Sequence, residues 1–154
     1  MQDKSPAEVD LLATSIAHAV TRLFRTQNRI YGRAVQPLGL STEQAHLLLV
    51  LFRLGPLTMT ELGREVALSS GTLSTAVDRM EAAGLVRRVI DPEDRRAVRI
   101  EPAGWSPARR RELVRTIVST EETLLAPLTG QERTTLRELL EKVLGALPVT
   151  RRSR

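Results

Sequence analysis

Between Thr58 and Ile100 the spacing of apolar residues changes twice, and each change marks a new element. Leu62 and Val66 stand at i, i+4 behind Thr58-Met59-Thr60-Glu61, a capping box that satisfies free N–H groups in the first turn of a helix. Ala67-Leu68-Ser69-Ser70 is small and polar enough to turn the chain, and either serine can cap the next helix. That second helix buries Leu73, Val77 and Met80 at i, i+4, i+7. Gly84 is placed to end it in the left-handed region, so that Leu85 folds back on the last turn. Beyond this glycine the period shortens. Val86-Arg87-Arg88-Val89-Ile90 and Ala97-Val98-Arg99-Ile100 are β-branched and arginine-rich, and Asp91-Pro92-Glu93-Asp94-Arg95-Arg96 separates them as a turn. Two short helices followed by a hairpin predict a winged helix-turn-helix.

The flanks are helical. Ser5-Pro6-Ala7-Glu8 reads as a capping box that starts a long helix ending near Val35. Val9, Leu12, Ile16, Ala19, Leu23 and Ile30 form its apolar stripe, widened by Val20, Phe24 and Tyr31, and a stripe this apolar requires a packing partner. Arg22, Arg25, Arg29 and Arg33 occupy the opposite side, either as a solvated face or as contacts to DNA or ligand. A second box, Ser41 with Gln44, opens a helix running through Leu47 to Phe52 and stopping at Gly55-Pro56. It is apolar on nearly every side, which makes it the central core helix, and its His46 either packs or lines a ligand pocket.

After the hairpin, Ser106-Pro107 starts another helix, with Leu113, Val114, Ile117, Leu124 and Leu125 inward and Pro127 at its end. Thr129-Gly130-Gln131-Glu132 caps the last helix, striped by Leu136, Leu139, Leu140, Val143, Leu144 and Leu147, before a tail, Thr150–Arg154, expected to fray. The expected fold is mainly α with a small β-hairpin wing, in one domain over 1–154. Residues 41–101 are its winged helix-turn-helix lobe, and 5–36 with 106–147 are helices whose exposed stripes suit a dimerisation lobe.

Composition narrows the function. The 154 residues are 42% hydrophobic and 27% charged, as in an ordinary globular protein. No apolar run approaches the ~18 residues of a membrane helix, and no secretory signal pattern is present, so a cytoplasmic protein is expected. The absence of cysteine excludes thiol redox switching and thiolate metal sites. His18 and His46 lie far apart without a carboxylate motif, so neither metal nor cofactor is expected. The net charge of +5 favours polyanions. Its distribution does not point to the winged lobe, because residues 57–104 hold seven arginines and eight acids, a net of −1. Placement does: Arg87, Arg88, Arg95, Arg96 and Arg99 all fall on the hairpin, and with only two lysines in the chain, anion contacts must come from arginine forks.

The helix before the hairpin exposes Ser70, Gly71, Thr72, Ser74, Thr75, Asp78 and Arg79, a small, hydroxylated face able to lie close to phosphates. The stretch GPLTMTELGREVALSSGTLSTAVDRMEAAGLVRRVIDPEDRRAVRI resembles the DNA-binding lobe of MarR-type transcriptional regulators, most specifically in TELGREVALSSGTLSTAVDRMEAAGLV and in the wing DPEDRRAVRI. Weaker similarity extends over about the whole chain. The resemblance implies a homodimer on double-stranded DNA, with the recognition helix in the major groove and the wing in a minor groove. The residues it points to are Ser69, Ser70, Thr72, Ser74, Thr75, Arg79, Arg88, Asp94, Arg95 and Arg96, with Asp94 positioning Arg96. It also implies release of DNA by a small anionic or phenolic effector, for which Phe24, Tyr31 and His46 are the candidate walls. Two departures are evident: serine and threonine stand where the family often carries long polar residues early in the recognition helix, and Ile100-Glu101-Pro102-Ala103-Gly104 replaces the family's usual exit from the wing. The alternative is a winged helix used for protein–protein contact, against which the wing arginines count. A PadR-like regulator fits the wing less well. No nucleophile with a base, glycine-rich phosphate loop or carboxylate pair suggests an enzyme.

Overall fold

The computed structural model describes residues 15–146, so the Ser5–Glu8 box, Val9, Leu12, Leu147 and the tail lie outside the described residues. Six helices and three short strands make up the described chain: α1 (Ile16–Val35), a 3₁₀ turn (Gln36–Leu38), α2 (Thr42–Leu54), β1 (Leu57–Thr58), α3 (Met59–Val66), α4 (Ser70–Ala82), β2 (Val86–Ile90), β3 (Val98–Pro102), α5 (Pro107–Leu124) and α6 (Gly130–Ala146). The chain divides into two compact units at residues 118 and 119, a boundary that falls within α5.

Side-chain caps set the helix starts where the sequence places them from α2 onward; α1 is the exception, because Ser15 stands in extended backbone and its hydroxyl accepts the His18 N–H, so the helix opens at Ile16 and the one expected from Ser5 to Val35 does not run unbroken. Ser41 and Gln44 close a reciprocal box on α2, and Thr58 and Glu61 close one on α3. At α4 the choice between two serines is settled, since the Ser69 hydroxyl accepts the Thr72 N–H. Ala67 takes the left-handed conformation in the turn before it, at φ 53°. The end of α4 is a Schellman motif: Gly84 N–H donates to Glu81 O and Leu85 N–H reaches back to Met80 O, which buries Leu85.

The core of the first unit is built around α2. Ala45, Leu47, Leu48, Val50 and Leu51 are buried there against Leu62 of α3, Leu73, Ala76, Val77 and Met80 of α4, Val86, Ile100 and Leu113. The hairpin is antiparallel from Ile90↔Val98 to Val86↔Pro102, its return strand starting one residue later and ending two residues later than the sequence pattern indicates. The sequence pattern also misses β1, whose Leu57↔Ile100 and Thr58↔Arg99 pairing makes β3 the central strand. A two-residue strand that doubles as a helix cap carries no alternation to detect.

On α1, Ile16, Val20, Leu23 and Phe24 are exposed, Ile16 at 80%. In the second unit, α6 is capped by Thr129 and Glu132, and it leaves Leu139, Leu140, Val143 and Leu144 exposed. Both stripes expected from the sequence are thus open to solvent. No helix among the described residues is long and apolar enough to cross a membrane.

Candidate nucleic-acid interface

Seven arginines and eight acids lie in residues 57–104, and their pairing decides which arginines are left to meet an anion. Arg87 Nε donates to Glu101 Oε1 across the hairpin at 2.5 Å. Arg99 Nε donates to Asp91 Oδ2 at 2.5 Å while its Nη1 reaches the carbonyl of Pro56 at 3.2 Å, fastening the wing base to the end of α2. Arg88 is held by α4: its Nη2 donates to Asp78 Oδ1 at 2.6 Å, its Nη1 to Glu81 Oε2, and its backbone N–H to Glu81 Oε1 at 3.0 Å. Glu65 pairs with Arg53, and Glu61 is occupied by its cap. Six carboxylates are therefore spent inside the lobe. Among its described residues, Arg64, Arg79, Arg95 and Arg96 have no ion pair.

Arg95 and Arg96 stand at the tip of the wing, and two aspartates shape the loop that carries them. Asp91 accepts the Glu93 N–H at 2.9 Å, and its own N–H donates to the carbonyl of Ala97. Asp94 Oδ1 accepts the backbone N–H of Arg96 at 2.9 Å, and Ala97 N–H returns to Asp94 O. Asp94 therefore places Arg96 through the main chain, leaving its guanidinium unpaired, so the surface ion pair between the two side chains is not formed. The Asp91 carboxyl is buried and held below the usual carboxylate range, first by the Glu93 N–H and then by Arg99.

The exposed face of α4 bears Ser70, Gly71, Thr72, Thr75, Asp78 and Arg79, with Ser74 half-buried. Several of its hydroxyls are engaged locally. Ser69 and Thr72 hydroxyls lie 2.8 Å apart, and Thr75 Oγ1 donates to Gly71 O. Ser70, Ser74 and Arg79 remain the groups with no such internal bond. Arg88, expected among the DNA contacts, is the one arginine of the candidate set whose guanidinium is ion-paired, through both terminal nitrogens; its bond to Asp78, ahead of Glu81, raises its pKa further.

Similarity to known proteins settles the family. The MarR family model matches residues 40–98. An uncharacterised HTH-type transcriptional regulator of Bacillus subtilis, YcgE, is 37% identical over 99 residues, 64% of each chain. The HTH-type transcriptional regulator MgrA of Staphylococcus aureus is 30% identical over 128 residues, 82% of this chain and 86% of that one. The chain belongs to the MarR family. Solved MarR-type structures share its fold: Escherichia coli MarR complexed with operator DNA (TM-score 0.75, 23% identity, 93% of this chain and 99% of that one) and Bordetella bronchiseptica BpsR, whose DNA binding is regulated by 6-hydroxynicotinic acid (TM-score 0.75, 22% identity, 88% and 96%).

In this MarR-family chain, residues that the sequence pattern does not reveal support the candidate interface from behind. Trp105 donates its indole N–H to Leu85 O at 3.1 Å, stacks edge-on against Phe52, and lies under the Arg109 guanidinium, 4.2 Å from the ring centre. Gly104, at φ 67°, packs so tightly that an added Cβ would sit 3.0 Å from Gly84 O. Together these tie the start of α5 to the end of the recognition helix. A lone aromatic after a Pro-Ala-Gly exit gives no periodic signal. The candidate effector residues differ in exposure among the described residues. Phe24 is 61% exposed, Tyr31 half-buried two turns on, and His46 exposed, though nearby protein atoms lower its pKa by desolvation. The shallow cavity on α1, about 290 Å³ beside Ala19, Arg22, Leu23 and Thr26, includes none of the three.

Proposed function

We propose that this chain is a homodimeric repressor, cytoplasmic and without catalytic activity of its own, that binds a pseudo-palindromic operator and is released by a small anionic or phenolic effector. The observation that carries the reading is the wing: Arg95 and Arg96 are exposed and unpaired, on a loop set by Asp91 and Asp94, beside a recognition helix whose outer face is small and hydroxylated. Each subunit lays the Ser70–Arg79 face of α4 in a major groove, and the wing inserts Arg96, seconded by Arg95, into the negative potential of an A·T-rich minor groove. MarR bound to operator DNA and BpsR controlled by 6-hydroxynicotinic acid support a DNA partner and an organic anion as effector. The exposed stripes of α1 and α6 support pairing with a second copy. Selection of bound duplexes from a random pool, followed by fluorescence anisotropy over a salt series, tests the core of this reading. The expected result is a two-half-site motif bound with steep salt dependence. Affinity indifferent to salt would favour a protein–protein module instead.

A further inference from the structure

Asp78 and Glu81 are the only carboxylates of the recognition helix, and one of them adjoins Arg79 on its exposed face. Facing DNA, uncompensated carboxylates repel phosphates, and like charges across an interface lower affinity steeply. Both are met by one residue. The planar guanidinium of Arg88 gives a separate nitrogen to each, and the Arg88 N–H adds a third bond, to Glu81. The same three bonds join the last turns of α4 to strand β2, so the major-groove element and the wing are held together by the group that pairs with the helix's acids.

We propose that Arg88 is a positioning residue for DNA binding that touches no DNA itself: it acts through Asp78 and Glu81, offsetting part of their charge and fixing the recognition helix against the wing. The inference rests on the DNA-binding reading above and assigns Arg88 a role different from that of Arg95 and Arg96. It also accounts for the acids on this helix. They are the handles by which the wing strand grips it, and they are tolerated beside a polyanion because the positive charges of Arg88 and the neighbouring Arg79 together balance theirs.

A double-mutant cycle separates this role from a phosphate contact. Full-length protein, Arg88→Ala, Asp78→Asn/Glu81→Gln and the triple variant are titrated into a labelled selected duplex, after thermal melting of each. Arg88→Ala is expected to weaken binding about ten-fold or more, because it uncovers two carboxylates. Asp78→Asn/Glu81→Gln should bind at least as tightly as the unaltered chain. In that background Arg88→Ala should change affinity by less than about three-fold. If Arg88→Ala costs the same factor in both backgrounds, and lowers the salt slope by about one each time, Arg88 contacts phosphate directly and the proposal falls. Should Arg88→Ala fail to fold, the cycle is run with Arg88→Lys, which keeps the charge but cannot span two carboxylates; its loss should vanish once both are neutralised. An unaltered chain without salt-sensitive binding to any duplex overturns the DNA-binding reading and this inference with it, an outcome distinct from additivity in the cycle.

Discussion

At Arg96 two requirements coincide, a guanidinium left unpaired and a backbone held by Asp94. Arg96→Ala is expected to weaken operator binding by about 1–3 kcal/mol and to flatten the salt slope by about one per lost charge, more on A·T-rich flanks than on G·C-rich ones. Arg137→Ala, an exposed arginine of α6, is the charge-matched control; equal small losses for both in anisotropy titrations would remove the wing from the minor groove. Asp91 makes a prediction in pH. Its folded pKa is depressed by the Glu93 N–H and Arg99, so its stabilisation is complete above the ordinary aspartate value of about 3.9 and is lost as pH falls through the lower folded value. Asp91→Asn should therefore be less stable than the unaltered chain at neutral pH, and the gap between their melting temperatures should close in acid below about pH 4. A gap constant across pH 2–7 would mean that the aspartate charge does not matter. At this scale the sequence identifies residue types on a face but not their partners. Arg88 and Arg96 look alike in the string, and only the fold shows that the carboxylates of α4 reach the first guanidinium and not the second.

Among the elements, α2, α3, α4 and the hairpin are legible because each has a cap, a period and a stop. Ser41 with Gln44, Thr58 with Glu61, and Gly84 before Leu85 form the motifs their spacing announces. What escapes is held by single contacts distant in sequence: β1 by its pairing with β3, and the α4–α5 joint by Trp105 and Gly104. The joint is testable. Gly104→Ala combines a positive φ with a Cβ pressed onto Gly84 O, and is expected to cost about 1–3 kcal/mol of stability in denaturant unfolding, with weakened DNA binding as the end of α4 shifts. An alanine variant as stable as the unaltered chain would show that the joint gives way without strain.

For the whole molecule, the apolar stripes of α1 and α6 are legible in the sequence as faces in need of cover, while their cover is not, because periodicity says nothing about which copy supplies a surface. Leu139, Leu140, Val143 and Leu144 remain exposed. Deleting residues 131–154 should give aggregates or a species unable to bind two half-sites together, as read by light scattering and gel shift. A monodisperse, full-affinity monomer would show that the stripes are not a dimer seam. The joint between α4 and α5 has another use at this scale. The chain has a single tryptophan, and it is the one hydrogen-bonded to the end of the recognition helix. An indole that loses its carbonyl partner and its arginine and phenylalanine neighbours changes emission wavelength and quenching. The protein thus carries its own optical gauge: titrating effector into the unlabelled chain should shift the Trp105 emission whenever the recognition helix moves, with no dye to disturb the interface.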